Sequence, residues 1–258
     1  MNLPVDIDIP QIISLAQKAG DAIMKIYTED YNVHKKLDES PLTKADLSSH
    51  EIIVQGLREL TPNIPTLSEE SPERDIKNRV TWKTYWLVDP LDGTKEFIKK
   101  NGEFTVNIAL IHQNKTVLGV VNAPALDVTY WGGRGVGAYK LKNGIEKKIR
   151  VATKKKYIKD IKIVGSRSHQ CEEFYEFIAD YPGASVSPIG SSLKLCLVAE
   201  GFADLYPRFG PTSEWDTAAA QSIVEGAGGT VVSLVDRLPL KYNTKFSTLL
   251  NPKFLASS

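Results

Sequence analysis

An apolar run, Tyr85-Trp86-Leu87-Val88, ends abruptly in Asp89-Pro90-Leu91-Asp92-Gly93-Thr94-Lys95-Glu96-Phe97. Four bulky residues without a polar interruption read as a buried strand, which commits the chain to covering it. That strand delivers two aspartates, three positions apart, across a proline-containing turn. A carboxylate at the strand end, a second in the turn and the Leu91 carbonyl between them can converge on one hard cation. Oxygen donors of this kind select magnesium, manganese or calcium over zinc. Gly93 permits close backbone approach, and Thr94 opens a stretch able to start a short helix whose free N–H groups suit a phosphate oxygen. The same residues also make an Asp-rich turn capped by its own side chains.

Around this strand the pattern changes twice. Asp8 precedes Ile9-Pro10, and Ile12, Ala16, Ala19, Ile23 and Ile26 then mark one face of a helix. A second helical pattern covers 43–60, and Asn63-Ile-Pro opens an extended piece ending at Ser68-Glu69-Glu70. The middle third reads as an antiparallel sheet. Its predicted strands are 85–89, ended by Pro90, then 105–112, 116–122, 127–131, 137–141 and 147–151, with Asn143-Gly144 as a turn. Lys154-Lys155-Lys156 marks a boundary. Beyond it strands (162–165, 184–188, 203–207, 230–233, 247–250) alternate with helices (170–180, 191–200, 215–226), the pattern of an α/β half. The expected division is 1–152, holding the acidic motifs, and 153–258.

The chain has 258 residues, long enough for one large domain or two modest ones. Hydrophobic residues at 42% against 24% charged exclude a disordered chain, and a net charge of +1 excludes a basic nucleic-acid coat. No apolar run approaches the roughly 20 residues of a membrane span, so no transmembrane segment is expected. The start, MNLPVDIDIPQ, has no signal-peptide pattern. Cys171 and Cys196 form no CxxC pair and read as reduced packing residues, which fits a cytoplasmic protein. Trp82, Trp86 and Trp131 read as packing residues, and His34, His50 and His112 have no mutual spacing of a metal site.

Two further acidic signals accompany the aspartate turn. Glu69-Glu70 follows an extended segment, where adjacent glutamates usually sit on a solvated surface. Glu214-Trp215-Asp216-Thr217-Ala218-Ala219-Ala220 puts a carboxylate at the start of a small-residue helix, where it suits the helix N-terminus. Taken together, Glu69, Asp89, Asp92 and Asp216 are four carboxylates at ends of elements, able to share two or three divalent ions.

In this order, Glu-Glu, Asp-Pro-Leu-Asp-Gly-Thr and Trp-Asp-Thr-Ala-Ala, the motifs resemble the lithium-sensitive, magnesium-dependent phosphatases of the inositol monophosphatase superfamily across the whole chain. Lys95-Glu96-Phe97 stands where inositol monophosphatases usually carry Thr-Asn-Phe. With Asn101–Asn107, Ser166-Arg167-Ser168-His169, Gly190-Ser191-Ser192-Leu193-Lys194 and Tyr206–Thr212, it resembles the bacterial CysQ-type 3′(2′),5′-bisphosphate nucleotidase branch. The resemblance implies a layered αβαβα sandwich. It also implies removal of the 3′-phosphate from adenosine 3′,5′-bisphosphate or its sulfated relative, a role in sulfur assimilation and nucleotide recycling.

The resemblance assigns residues by motif. Glu69, Asp89 and the Leu91 carbonyl match one metal's ligands, and Asp89, Asp92 and Asp216 a second's; a weaker third magnesium lies near Glu69. Glu70 matches a residue orienting a water at the metal. Thr94 matches the residue that positions the attacking water, and Asp46 its proton acceptor; alone, Asp46 is a first-turn helix acid. Lys194 and Arg208 match contacts to the non-reacting 5′-phosphate, with Ser191 as a hydroxyl donor and His169 near the nucleoside. Glu69, Leu91, Asp92, Gly93, Thr94 and Asp216 surround the reacting phosphate. The implied partner is a small nucleotide bisphosphate, not a nucleic acid polymer, and any membrane association would be peripheral, on the cytoplasmic face of the inner membrane. An inositol or sugar phosphatase and a non-catalytic magnesium or nucleotide sensor are the alternatives.

Overall fold

The computed structural model describes residues 3–29, 41–153, 155, 157–167 and 171–258. His34, Lys154, Lys156, Ser168 and His169 lie outside the described residues. Helix α1 (Ile9–Thr28) starts as its sequence requires: Asp8 accepts the Gln11 N–H at 3.2 Å and Pro10 occupies the first turn. Its buried stripe, Ile12, Leu15, Ala16, Ala19 and Ile23, packs with Ala45, Ile53 and Leu57 of α2 (Pro41–Leu60) over one face of a sheet.

That sheet has seven strands in chain order: β1 (Thr66–Ser68), β2 (Thr84–Asp92), β3 (Thr105–His112), β4 (Lys115–Ala123), β5 (Val128–Gly133), β6 (Gly137–Lys142) and β7 (Ile145–Lys148). Only β1 and β2 pair in parallel. A second, five-stranded sheet has the order β11 (Thr230–Ser233), β12 (Phe254–Ser257), β10 (Leu205–Arg208), β8 (Lys162–Ser166), β9 (Ser185–Ile189). Between the sheets lie α6 (Leu193–Ala199) and α7 (Glu214–Gly226), and α5 (Glu172–Ala179) lies outside the second sheet, with Phe174 against Gly165. The layers are helix, sheet, helix, sheet, helix, the sandwich expected from the sequence. Short helices α3 (Glu73–Asn78) and α4 (Thr94–Ile98) flank β2.

Strand β2 shows why both faces of the first sheet are apolar. Trp86 and Val88 pack toward α1 and α2, whereas Tyr85 and Leu87 pack toward α6 and α7. Each such burial contributes about 1.5–3 kcal/mol. Helix α7 approaches the sheet so closely that a Cβ on Gly119 would fall 2.0 Å from the Ala219 carbonyl oxygen. The Ala218-Ala219-Ala220 run is therefore a contact surface, and it fixes the height of the whole helix over the sheet.

Four expectations need correction. Pro90 does not end β2, which continues to Asp92 through a bulge. The Asn143-Gly144 turn, with φ of 50° and 72°, starts the next strand at once, so β7 is Ile145–Lys148 rather than 147–151. The segment 247–250 forms only an isolated bridge, Leu250 to Ser213; the strand is β12, whose apolar residues are too few to stand out in sequence. Cys171 is the residue before α5 and only half-buried, while Cys196 is buried in α6; both are free thiols.

Candidate active site

In a regular strand, residues three apart face opposite sides. In β2, Asp89 pairs with Asn107 and Asp92 with Thr105, so three steps on one strand match two on the other. The extra residue is absorbed at Pro90-Leu91, where the missing proline N–H costs the ladder nothing. Asp89 and Asp92 thereby share the face that looks toward α6 and α7. The bulge is pinned from behind: Ser49 on α2 donates to the Pro90 carbonyl at 2.7 Å, and the Leu91 N–H donates to Asp89 Oδ1 at 3.1 Å.

Around this pair gather carboxylates from four other positions. Glu69 and Glu70 follow β1, whose register against β2 is set by Ser68 opposite Val88. His50 Nδ1 lies 2.8 Å from Ser68 Oγ and steadies that loop from α2. Asp46, one helical turn earlier, meets Glu70. Burial first, then Glu70, pushes the Asp46 carboxyl up to about 7. Glu69 also rises to about 7, through burial and then Asp46, Glu70 and Asp92. Asp216, in the first turn of α7, rises to about 7 through burial and Asp92. Asp89 is pushed well above the usual carboxylate range by burial, then by Asp92, Glu69, Asp216 and Asp46.

The largest influences on Asp89 are burial and four other carboxylates. A wholly buried carboxylate surrounded by carboxylates is stable as an anion only when a cation joins it. The donors are all oxygen, which fits magnesium or manganese. As they stand, no three of the described His, Cys, Asp and Glu side chains close into a finished cage. One oxygen of Asp92 is held by the Ser192 N–H at 2.6 Å and one of Asp216 by the Ser213 N–H at 2.9 Å.

Beside the carboxylates a cleft of ≈ 370 Å³ opens, lined by Asp92, Thr94, Ser191, Lys194, Arg208 and Asp216 among others. Its far wall is cationic. Lys194 is buried, with Nζ 2.5 Å from the Ser191 carbonyl oxygen and over the Tyr206 ring. Burial lowers its pKa to about 8, against the opposing pull of Asp92. Arg208 donates to the Pro211 carbonyl at 2.9 Å, and its Nε is buried with no partner among the described residues. One cleft thus holds an anionic zone suited to cations and a desolvated cationic zone suited to a phosphate.

The loop 190–192 joins the two zones, and sequence reasoning caught only part of it. Ser192, not Ser191, holds Asp92, and its Oγ lies 2.8 Å from Asn107 Oδ1 and 2.9 Å from Thr105 Oγ1. Ser191 adopts a left-handed φ of 45°. Glu103 accepts the Gly190 N–H at 2.7 Å and grips Arg167 at 2.7 and 3.0 Å. A Cβ on Gly190 would sit 2.5 Å from Glu96 Cγ, so only glycine lets this loop dock. The bulge hides the Asn107 and Thr105 roles, because strand periodicity alone does not place them beside both aspartates.

The raised acidities predict how magnesium acts on stability. An acid whose pKa is lifted from 3.8 or 4.5 to about 7 binds protons more readily folded than unfolded. The metal-free protein therefore loses stability as pH rises through that window, and the full cost is present above about 7. Magnesium binds the ionised set, so it should raise the melting temperature strongly at about pH 8 and little at about pH 5.5. Thermal melts with and without magnesium at both values check this; an equal or larger shift at the lower pH would contradict it.

With this geometry in place, comparison with known proteins defines the class. Residues 8–257 match the model of the inositol monophosphatase family, and the chain belongs to that family. It is 50% identical over 248 residues to the 3′(2′),5′-bisphosphate nucleotidase CysQ of Salmonella typhimurium, covering 95% of this chain and 98% of the relative. To CysQ of Escherichia coli K12 it is 49% identical over 251 residues, covering 96% and 99%. The crystal structure of CysQ from Bacteroides thetaiotaomicron superposes with a TM-score of 0.87 at 42% identity, covering 96% of each chain.

Proposed function

We propose that this chain is a magnesium-dependent phosphatase that removes the 3′-phosphate of adenosine 3′,5′-bisphosphate, giving AMP and inorganic phosphate, and that it also accepts the sulfated relative. The observation that carries the reading is the pairing, in one cleft, of Asp92 and Asp216, which belong to the carboxylate cluster around Asp89, with the desolvated Lys194–Arg208 wall. The relatives named above are 3′(2′),5′-bisphosphate nucleotidases by name, which supports a substrate of this class. No described helix is long and apolar enough to cross a membrane.

Glu69, Asp89, Asp92, Asp216 and the Leu91 carbonyl would hold two to three magnesium ions. Bound there, magnesium neutralises the cluster and stabilises charge on the entering and leaving oxygens. The chain's own groups do the rest. Thr94, at the start of α4 and on the cleft wall, orients the attacking water, with Glu70 helping to place it. Asp46, with a pKa of about 7, suits a proton acceptor at neutral pH. The attacking water gives a proton to Asp46 as its oxygen bonds to phosphorus, the bond from phosphorus to the 3′-oxygen breaks, and the 3′-oxygen takes a proton from solvent water to leave as a hydroxyl. Gly93 keeps the backbone close, since its φ of 94° brings α4 against Phe104. Lys194, Arg208 and Ser191 hold the 5′-phosphate, which leaves the reacting group over the carboxylates; His169 is the proposed nucleoside contact.

Phosphate release from adenosine 3′,5′-bisphosphate, AMP, inositol 1-phosphate and fructose 1,6-bisphosphate, each with and without magnesium, tests the reading. Preference for the first substrate, abolished by chelation, is expected. A preference for inositol 1-phosphate would transfer the chain to the other branch of its family.

A further inference from the structure

Asp216 is the one carboxylate of the cluster that comes from α7, so something must fix the start of α7 against β2. The polar network that does so lies away from the cleft. Arg79, in the turn between α3 and β2, is almost wholly buried. Its Nη1 donates to Asn243 Oδ1 at 2.6 Å, and its Nη2 to the Lys245 and Phe246 carbonyls at 2.9 and 3.3 Å. Asn243 answers with Nδ2 to the Arg79 carbonyl at 2.6 Å. The Asn243 backbone N–H, in turn, donates to Glu214 Oε2 at 2.8 Å.

Glu214 is the first residue of α7, two positions before Asp216, and is 3% exposed. Its own N–H donates to the Leu249 carbonyl at 2.7 Å, and Asn251 Nδ2 donates to the Ser213 carbonyl at 2.7 Å. Ser213 and Asp216 close a capping box on the same turn. A path therefore runs from Arg79, in the turn that leads into β2, through Asn243 and Glu214, into the turn that carries Asp216. Buried polar groups of this kind are weak evidence for stability alone; the placement of this network, with Asn243 between Arg79 and Glu214, suits alignment.

We propose that Arg79, Asn243 and Glu214 are positioning residues that set Asp216 against the carboxylates of β2, and so set the affinity of the site for divalent cations. None of the three lines the cleft; the inference rests on the divalent-cation reading above. Outer partners of metal ligands are worth about 10–100-fold in affinity. Glu214→Ala should therefore raise the half-saturating magnesium concentration about tenfold, read both by activity and by magnesium-dependent thermal shift. The KM for the nucleotide at saturating magnesium should change less than about twofold. Glu214→Gln keeps an acceptor for the Asn243 N–H and should restore most of the magnesium affinity. Asn243→Gly keeps the left-handed φ of 56° while removing the side-chain arms, and loosens the same path without touching α7. It should shift magnesium in the same direction. A folded Glu214→Ala or Asn243→Gly protein with a lowered melting temperature but wild-type magnesium half-saturation would overturn the proposal, leaving a purely structural role. A wild-type protein whose melting temperature ignores magnesium would instead overturn the cation reading itself.

Discussion

Asp89→Asn should abolish most activity and, without metal, stabilise the protein at alkaline pH. The two effects share one cause. Burial is the main cost of ionising Asp89, and the neighbouring carboxylates Asp92, Glu69, Asp216 and Asp46 add to it. An amide of the same shape keeps the Leu91 N–H contact, fills the same space and removes a charge that the metal-free fold must tolerate. Removing that charge also removes the ligand shared between both proposed magnesium sites. Loss of a preorganised electrostatic group costs about 10²–10³ in kcat, and loss of a shared ligand should reach at least the upper end. Melting temperatures at about pH 8 without magnesium should rise by a few degrees. Magnesium should no longer add to them. Near wild-type turnover in the folded variant would refute the site.

Lys194→Ala carries the second large effect, on selectivity. Lys194 faces Arg208 across a desolvated wall, and nothing in the bond-breaking chemistry requires it. Charge-assisted contacts to a phosphate are worth about 1.5–3 kcal/mol each. The variant should lose roughly ten- to a hundredfold in kcat/KM for adenosine 3′,5′-bisphosphate. A substrate lacking the 5′-phosphate, 3′-AMP, should already be poor and should barely respond. The enzyme change and the missing substrate phosphate form a cycle whose coupling isolates the contact. Equal losses on both substrates would mean that Lys194 does not read the 5′-phosphate, and would favour an inositol or sugar phosphatase.

The acidic motifs were legible because each sits at the end of a strongly patterned element: a buried strand, an extended piece and a small-residue helix. The layered fold was legible through the resemblance those motifs carry, and β2 and β3, buried along nearly their whole length, fit it. What stayed hidden is what couples distant segments. The bulge at Pro90-Leu91 shows only in the pairing of Asp89 with Asn107 and Asp92 with Thr105. Pro90 reads locally as a strand end, yet Ser49 and the ladder beyond it hold the strand together. Ser192 looks like a helix-start serine next to Ser191, and only the folded loop shows that it holds Asp92. Arg79 and Asn243 lie 164 positions apart and carry no motif, so neither declares its part in placing α7. Strand β12 was missed because four modest residues at the chain end become central only through pairing with β10 and β11.

Anomalous scattering from crystals grown with manganese and AMP tests the central claim most directly, because it sees the ions and the product at once. The account predicts manganese peaks bounded by Glu69, Asp89, Asp92 and Asp216, with the 5′-phosphate of AMP against Lys194 and Arg208. Peaks confined to other carboxylates, or an AMP phosphate seated away from Lys194 and Arg208 in an active enzyme, would contradict it.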